Sequence, residues 1–439
     1  MGNYLPSSYQ ERLEMLKEIG LSSFDDLYCD VPASVLLKKL EHVPAGLSQM
    51  EAEQRMVHLS EKNHVFKTIL RGAGSYDHYI PAVVDSVTSK EEFSTTYTPY
   101  QAEISQGVLQ SIFEYQTMIC EMTSMDVSNA SLYDGASAAA EGVMMCLKKN
   151  KNKVFVADNV HPDMLATIKT YCWARGVAFE TLPTQNGLVD PAGLQDLLTD
   201  DAACLYIQQP NFFGLIEDAT AIAEAVHQKS AKLVMGAYPI ALGMLSSPGE
   251  CGADIAVGEG QPLGMPLSFG GPYLGFIAAK KELMRSLPGR IVGQTTDSRG
   301  QRAYVLTLQA REQHIRREKA SSNICSNQAL CAMRAAVYMA AMGADGIEQA
   351  AQSSFDKAHY LMKELCALPG FRRVHEGEFF NEFVTTLPMD AKRVEKLLME
   401  HDILAGLPVE GGMLWCVTEK VSKEKIDETI QVLRGGYTK

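Results

Sequence analysis

Short apolar runs alternate with amphipathic segments between residues 153 and 235. Four runs have the length and the continuous apolar character of strands buried on both faces, namely Lys153–Ala157, Ala178–Leu182, Ala203–Gln208 and Lys232–Met235. The segments between them carry apolar side chains at helical spacing and predict helices at Pro162–Ala174, Pro191–Leu198 and Asp218–Lys229. Strands that alternate with helices of this length predict βαβ units and a mostly parallel sheet with helices on both faces.

The residues that follow these strands are candidates for a binding site, because ligands of such sheets bind at the carboxyl ends of the strands. His161 follows the first strand and Gly236 follows the last. A further pair of strands is predicted at Asp254–Val257 and Tyr273–Ala279. The long loop between them is rich in Gly and Pro and contains Gln261.

Helices are also predicted before this region. Gln110–Thr123 is amphipathic, and the turn Gly135–Ser137 leads into a helix with small residues near its start. Free backbone N–H groups at such a helix start can hold a phosphate. Asp134 suits the N-cap position but would repel a phosphate, so the pattern alone is weak evidence for an anion site.

Two capping boxes predict helix starts before residue 65. Ser8 and Glu11 form the first, and Ser48 and Glu51 open a second helix that continues to about residue 62. The second helix carries three titratable side chains, those of His58, Glu61 and His64. Steps of three residues spread these side chains over about a third of the helix circumference, which favours a solvated polar face over a metal site.

The end of the chain repeats the alternation on a smaller scale. A long helix rich in Ala and Met is predicted at Ile324–Met342. It is followed by a strand, a helix, a strand and a helix at Glu382–Leu387, Ala391–His401, Met413–Thr418 and Lys423–Leu433. The chain is therefore predicted to have a helical arm (residues 1–45), a large α/β domain (46–340) and a small C-terminal α+β domain (341–439).

Composition and charge narrow the class of protein. The chain has 439 residues, of which 46% are hydrophobic, and a net charge of −13. These values indicate an ordered globular protein and argue against non-specific nucleic-acid binding. Ten cysteines without a CxxC pair are typical of reduced thiols rather than disulfides or a zinc site. With no secretory signal and no apolar run long enough for a membrane span, we expect a soluble, cytoplasmic protein.

Three further segments leave alternatives open. Arg71–Pro81 and Tyr97–Gly107 are loops unusually rich in tyrosine, which suits a pocket or an interface but also a well-packed irregular segment. Residues 311–319 carry a basic cluster. It could bind polyphosphate or nucleic acid, but acidic residues interleaved with it fit a helix face with ion pairs equally well.

The strand–loop–strand at residues 252–279 resembles that of aspartate-aminotransferase-like enzymes, in which the loop carries a lysine bonded to pyridoxal phosphate (PLP). This loop has no lysine, and Gln261, whose amide is too weak a nucleophile to form an imine, stands in its place. With REQHIRREKASSNIC at residues 311–325 and the segments 72–81, 97–107 and 114–141, the chain resembles the glycine decarboxylase family. This family is the P-protein of the glycine cleavage system, and the resemblance is closest to its α chain (subunit 1) where the protein is split into two homologous chains.

The resemblance implies a PLP-dependent fold of type I and covers essentially the whole chain. In that family the β chain carries the PLP lysine in a His-Lys pair, and an aspartate that pairs with the pyridinium nitrogen. These groups would fall on Gly260–Gln261 and near Gly236, so both are missing here. The phosphate-holding turn would fall on Gly135–Ser137 and the ring-stacking histidine on His161. We therefore expect His161, Gly236 and Ser137 to be relics of a cofactor site, with no covalent PLP and no catalytic residue in this chain.

The resemblance also implies partners. With a PLP-carrying β subunit, in an α2β2 complex, the chain would decarboxylate glycine and transfer the aminomethyl group to the lipoyl arm of the H-protein; alone it would be inactive. Active sites of this fold class lie at the dimer interface, so loops of this chain would close the pocket of the β subunit. The candidate residues are Ser75, Tyr76, His78, Tyr97, Tyr100 and Gln101.

Three other interpretations remain. A purely structural or regulatory subunit would contribute no active-site residue at all. An independent PLP enzyme would need a relocated lysine, such as Lys280 or Lys281, but these follow the Tyr273–Ala279 strand and lie well away from the loop. A nucleotide-binding protein lacks its motif, because GEGQPLG has the wrong spacing for both a GxGxxG turn and a P-loop.

The absence of a lysine between Gly252 and Ala279 predicts that this chain forms no Schiff base with PLP. After the purified chain is mixed with PLP and reduced with borohydride, its intact mass should be unchanged. A single stoichiometric adduct on one lysine would contradict the interpretation of Gln261 and make the chain an enzyme in its own right.

Overall fold

The computed structural model describes residues 7–37, 42–325 and 328–436. The chain forms two compact units that divide between Val65 and Phe66. Residues 1–6 and 38–41 of the predicted arm lie outside the described residues, as do residues 326 and 327 of the helix predicted at Ile324–Met342. The predicted domain boundaries at residues 45 and 340 stay predictions.

The first unit contains two helices that begin at the predicted capping boxes. They are α1 (Tyr9–Glu18) and α2 (Gln49–Ser60). The Ser8 hydroxyl accepts a hydrogen bond from the N–H of Glu11 at 3.2 Å, and the Glu11 carboxylate accepts one from the N–H of Ser8 at 2.6 Å. Ser48 and Glu51 form the same reciprocal pair. Each box satisfies N–H groups that the first turn of a helix leaves unpaired.

The second unit opens with short elements and two longer helices. They are β1 (Thr68–Ile69), α3 (Ala82–Thr88), α4 (Glu91–Ser94), α5 (Gln106–Thr123), β2 (Val127–Ser128) and α6 (Gly135–Met145). The helix predicted from Gln110 starts four residues earlier. The Gln106 side-chain amide donates to the carbonyls of Ala102 and Tyr304, at 2.7 and 2.9 Å, which fixes this early start.

A seven-stranded sheet forms the centre of the second unit. Besides β2, its strands are β3 (Lys153–Ala157), β4 (Ala178–Leu182), β5 (Ala202–Gln209), β6 (Lys232–Ala237), β7 (Ile255–Glu259) and β8 (Gly275–Ala279). The helices α7 (Pro162–Arg175), α8 (Leu194–Leu197) and α9 (Ala219–Gln228) connect the strands from β3 to β6. The strand order is β2-β8-β7-β6-β5-β3-β4. The five strands from β7 to β4 are parallel, and β8 is antiparallel to both of its neighbours. The predicted mostly parallel sheet is confirmed.

Two differences from the predicted elements bear on the site and its surroundings. The helix predicted at Pro191–Leu198 contains only one helical turn, because the Asp190 carboxylate accepts a hydrogen bond from the N–H of Ala192 at 3.1 Å and forms a turn instead. The strand predicted at Asp254–Val257 is displaced by one residue at its start and extends to Glu259. This extension brings the Glu259 carboxylate to the carboxyl edge of the sheet.

A hairpin and a basic segment follow the sheet. The hairpin consists of β9 (Ile291–Thr296) and β10 (Arg302–Thr307), which are antiparallel. At its turn, Asp297 accepts hydrogen bonds from the N–H groups of Arg299 and Gln301, both at 2.8 Å. The basic segment is α-helical only over the single turn α10 (Gln313–Arg316), with a short 3-10 turn on each side, so the long helix face that would carry ion pairs does not form there.

The long helix α11 (Ala329–Cys366) is interrupted at Gly343, whose φ of 62° and ψ of −177° are not helical. The predicted helix ends at the residue before this break, so the first half of α11 confirms it from Ala329 onward. Within the described ranges, no helix is long and apolar enough to cross a membrane.

The C-terminal elements form a separate hydrophobic core. They are β11 (Glu382–Thr385), α12 (Ala391–Met399), β12 (Ile403–Leu404), β13 (Leu407–Val409), β14 (Gly412–Cys416) and α13 (Lys423–Gly436). The strands β11, β14 and β13 form an antiparallel sheet around the fully buried Trp415, and β12 pairs in parallel with β1. The predicted α+β character of this region is confirmed.

A buried carboxylate fastens the amino ends of β6 and β7. Asp254 accepts hydrogen bonds from the N–H of Leu233 at 2.9 Å, from the ring of His227 at 2.8 Å and from the Lys232 ammonium at 3.0 Å. The Lys280 ammonium lies 3.4 Å away. Burial raises the pKa of Asp254, but the hydrogen bonds from His227, Leu233 and Lys232 outweigh it and hold the pKa below its ordinary value.

We expect Asp254→Asn to lower the free energy of unfolding at pH 7 by about 3 kcal/mol, because the cations that surround the site lose their buried counter-charge. Since the folded-state pKa is depressed, the stabilisation is present above the unfolded pKa of about 4 and is lost as the pH falls through the folded value. Urea unfolding at pH 7 and at pH 3 measures both effects. Asp345→Asn, at an exposed helix position, is the control, and an equal loss in both variants would contradict the assignment.

Candidate functional site

Gln261 lies at the carboxyl edge of the sheet, where the sequence comparison expected a lysine in related enzymes. Its side chain is 1% exposed. The amide nitrogen donates to the carbonyls of Tyr76 and Met265, at 2.9 and 2.8 Å, and the amide oxygen accepts from the N–H of Tyr76 at 3.0 Å. The amide is therefore fully hydrogen-bonded and holds the Arg71–Pro81 loop by its main chain.

The carboxylate of Glu259, two residues earlier, lies at the turn Gly135–Ser137, where related enzymes would hold a phosphate. Its oxygens accept hydrogen bonds from the N–H groups of Gly135 and Gln261, both at 2.9 Å, and of Leu274 at 3.0 Å. Gly135 is the first residue of α6, so the carboxylate lies at a helix N-terminus, where negative charge is stabilised. Asp134 caps the same helix by accepting from the N–H of Ser137 at 2.7 Å. The two side chains therefore occupy N–H groups of the turn Gly135–Ser137 that a phosphate would need.

The position of Glu259 affects its ionisation. Burial, and to a smaller extent the neighbouring Asp134, raise its pKa to about 7 against the opposing effect of the three backbone hydrogen bonds. A carboxyl group that titrates near neutral pH would not be expected from the sequence, in which Glu259 is simply one of the residues after a strand.

Gly236 leaves no room for the aspartate that a PLP site would require. A Cβ atom at this position would lie 2.4 Å from the hydroxyl oxygen of Tyr206, which contacts the sulfur of Met164 at 3.2 Å. Two residues later, the ring of Tyr238 stacks on Tyr76 with a centroid distance of 4.3 Å. The aromatic ring next to this strand end therefore belongs to the protein itself.

His161 faces the loop main chain. Its Nδ1 accepts a hydrogen bond from the N–H of Asp163 at 3.1 Å, which leaves the proton on Nε2 to donate to the carbonyl of Ala73 at 2.8 Å. Gly74 covers the ring so closely that a Cβ atom there would lie 2.9 Å from it. The Arg71–Pro81 loop therefore lies against the His161 ring.

A cavity of about 30 Å³ lies at this edge of the sheet, lined by residues that include Gly74, Tyr76, Gly236, Tyr238 and Glu259. This volume holds roughly one water molecule. A pocket for a ligand of the size of PLP has a volume on the order of several hundred Å³. The residues present here do not fit PLP: the lysine and the aspartate are absent, and the chain itself fills the site.

The other side of the Arg71–Pro81 loop is fastened to the C-terminal elements. Glu382 accepts hydrogen bonds from the N–H of Ala73 and from the hydroxyl of Tyr76, both at 2.7 Å. Burial raises the pKa of Glu382 to about 7. The guanidinium of Arg71 pairs with the Glu395 carboxylate at 2.7 Å. Residues at the edge of the sheet and residues of the C-terminal elements therefore both bind this loop.

The structure brings three of the six predicted pocket residues to this place. The Ser75 hydroxyl lies 2.5 Å from that of Tyr273, and Tyr76 and His78 are buried. The His78 ring contacts the hydroxyl of Tyr238 and, at 2.6 Å, the carboxylate of Glu419. No sequence signal marks Tyr238, Glu259, Glu382 or Glu419, because each becomes a site residue only through partners that are distant in the sequence.

The other three predicted residues belong to the second tyrosine-rich loop. The ring of Tyr97 is 97% exposed, and Gln101 is also exposed. Tyr100 is half-buried, with the guanidinium of Arg290 over its ring at 4.4 Å. The role of all six residues in a pocket or an interface stays a prediction. Within the described residues there is no group of three or more His, Cys, Asp or Glu side chains that could hold a metal ion.

Comparison with known proteins identifies the family. The glycine cleavage system P-protein family matches residues 2–433. The probable glycine dehydrogenase (decarboxylating) subunit 1 of Carboxydothermus hydrogenoformans is 47% identical over 442 residues, which cover 98% of this chain and 99% of that protein. A crystal structure of glycine decarboxylase (P-protein) in inhibitor-bound form superposes with a TM-score of 0.94 at 40% identity, and covers 99% of this chain and 100% of that chain.

A more distant structure shares the fold alone. It is a lysine-to-alanine variant of C-DES with glycine covalently linked to its PLP cofactor, and it matches with a TM-score of 0.62 at 13% identity over 87% of this chain and 98% of that chain. The predicted fold, that of the type I PLP-dependent enzymes, is confirmed by the near-complete superposition on glycine decarboxylase. From the match along nearly its whole length, we conclude that this chain belongs to the glycine cleavage system P-protein family.

Proposed function

We propose that this chain is the cofactor-free subunit 1 of a two-subunit glycine dehydrogenase (decarboxylating) and that the PLP of the complex is held by its partner subunit. The observation that carries this proposal is the bonding of Gln261. Its amide takes the place of the Schiff-base lysine and is committed to the main chain of Tyr76 and Met265. The cavity of about 30 Å³ beside it supports the same conclusion.

The partner subunit would supply the chemistry that this chain lacks. PLP acts as an electron sink, so that glycine bound to it can lose CO2. The remaining aminomethyl group would pass to the lipoyl arm of an H-protein. We propose an α2β2 complex in the cytoplasm, and we expect this chain to be inactive without its partner.

This chain would contribute walls to the partner's pocket. A pocket that handles a reactive carbon nucleophile has to exclude stray proton donors and water. The exposed ring of Tyr97 supports a place for the Tyr97–Gly107 loop at an interface, because a fully exposed aromatic side chain gains stability when it is covered. In the same loop, the ring of Tyr100 makes a cation–π contact with the guanidinium of Arg290.

The alternative is a purely structural or regulatory subunit. Both functions are compatible with a site that the chain's own residues fill, because a chain without PLP needs no open cavity. The two functions differ in what they require of the Tyr97–Gly107 loop. Only the active-site function makes turnover depend on these side chains after the complex has assembled.

We expect the double variant Tyr97→Ala, Tyr100→Ala to lower the turnover of the assembled complex by about tenfold, equivalent to about 1.4 kcal/mol of transition-state stabilisation. The measurement is glycine decarboxylation with lipoylated H-protein, at equal amounts of complex confirmed by size-exclusion chromatography. Trp173→Ala is the matched control, because this ring is 81% exposed on α7. Unchanged turnover in a fully assembled double variant would favour the purely structural subunit.

A further inference from the structure

Glu259 is the last residue of β7, and Gln261 follows two residues later. Their side chains bind different parts of the molecule. Gln261 binds the Arg71–Pro81 loop through Tyr76, and Glu259 binds the start of α6 through Gly135. The main chain links the two sites, since the backbone N–H of Gln261 donates to the Glu259 carboxylate at 2.9 Å. The strand end, the helix start and the loop are therefore joined in one continuous set of buried hydrogen bonds.

Gln261 is suited to this role because its amide both donates and accepts. It pairs with the N–H and the carbonyl of the same residue, Tyr76, as a neighbouring strand would. A lysine carries donors only and would leave the Tyr76 N–H without its acceptor. An unpaired buried backbone group destabilises its segment, so the identity of residue 261 determines how firmly the loop is held.

The loop residues next to Tyr76 are held from other directions. Glu382 binds the Ala73 N–H and the Tyr76 hydroxyl, His161 binds the Ala73 carbonyl, and Tyr238 stacks on the Tyr76 ring. The segment 73–76 thus lies over the strand ends with its main chain and side chains bonded. Tyr79, three residues further on, is 59% exposed.

From this geometry we infer that Glu259 and Gln261 have replaced the cofactor as the internal support of the Arg71–Pro81 loop, and that they are positioning residues for the glycine decarboxylation of the complex. Glu259 supplies the hydrogen-bond acceptor at the helix start, Gln261 holds the loop beside it, and the loop presents its exposed part, including Tyr79, in one conformation. A surface that is ordered before association loses less conformational entropy when it meets its partner. The inference rests on the proposed function, in which loops of this chain complete the partner's pocket.

The test uses Gln261→Met, which keeps the side-chain volume and removes all three amide hydrogen bonds. In the assembled complex, hydrogen exchange of the peptide that contains Tyr76 should become at least about tenfold faster, because the N–H loses its acceptor. Turnover should fall by about tenfold while subunit stoichiometry and the PLP absorbance of the partner are unchanged.

Gln116→Met is the matched control. Gln116 is a buried glutamine that likewise holds one residue by two main-chain bonds, donating to the carbonyl of Val292 at 3.0 Å and accepting from its N–H at 2.9 Å. The Gln116→Met variant removes an equivalent pair of main-chain hydrogen bonds elsewhere in the fold. Hydrogen exchange of the peptide that contains Tyr76 should therefore not change. If Gln261→Met does not assemble, Gln261→Lys removes the same acceptor while keeping a donor, and exchange at the Tyr76 amide is read in the same way.

Each outcome decides a different point. Unchanged exchange at Tyr76 in either Gln261 variant would overturn the inference, whatever the function of the complex. Faster exchange with unchanged turnover would mean that the conformation of this loop does not affect the reaction. It would overturn the claim that Gln261 is a positioning residue. Faster exchange and reduced turnover, with the Gln116 variant unaffected, would support both.

Discussion

The carboxylate of Glu259 lies inside the protein on three backbone N–H groups, and the architecture of the site follows from the need to satisfy it. A buried charge is tolerated only where hydrogen bonds compensate for the lost hydration. The end of β7, the return of the chain at Leu274 and the first turn of α6 meet at this one group. In place of an external anion bound from solvent, the helix start receives a charge that the chain carries with it. The positions of Gln261 and of the loop above it depend on that junction.

A cofactor site loses more than a reactive group when its lysine disappears. The space that PLP would occupy has to be filled, because an empty cavity of that size forfeits the packing contacts of everything that lines it. Here the filling comes from the Arg71–Pro81 loop, whose Tyr76 ring stacks on Tyr238, and from the lack of any side chain at Gly236, which lets the Tyr206 hydroxyl approach. The chain thus combines the fold of the type I PLP-dependent enzymes with an interior that its own side chains fill at this edge of the sheet.

Local patterns in the sequence were sufficient for most of the fold. The alternation of buried strands and amphipathic helices from Lys153 to Met235 predicted the parallel sheet, and Ser8 and Ser48 located two helix starts, because both signals act within a few residues. The site was predicted only in part. Gln261 could be recognised as unable to form an imine, but its partner Tyr76 is 185 residues away, and no local pattern reveals a contact at that distance. Composition likewise marked two tyrosine-rich loops without distinguishing the buried Tyr76 from the exposed Tyr97.

The pairing of β1 with β12 has a consequence for biosynthesis. Arg71, two residues after β1, bonds to Ala405 and Gly406, which are more than 300 residues later. Tyr76 and His78 bond to Glu382 and Glu419. The Arg71–Pro81 loop thus depends for part of its bonding on residues that the ribosome adds more than 300 residues later. Contacts of such high sequence separation form late, after the more local βαβ units have had time to fold. During translation, this loop therefore lacks its hydrogen bonds to Glu382 and Glu419 until those residues have been made.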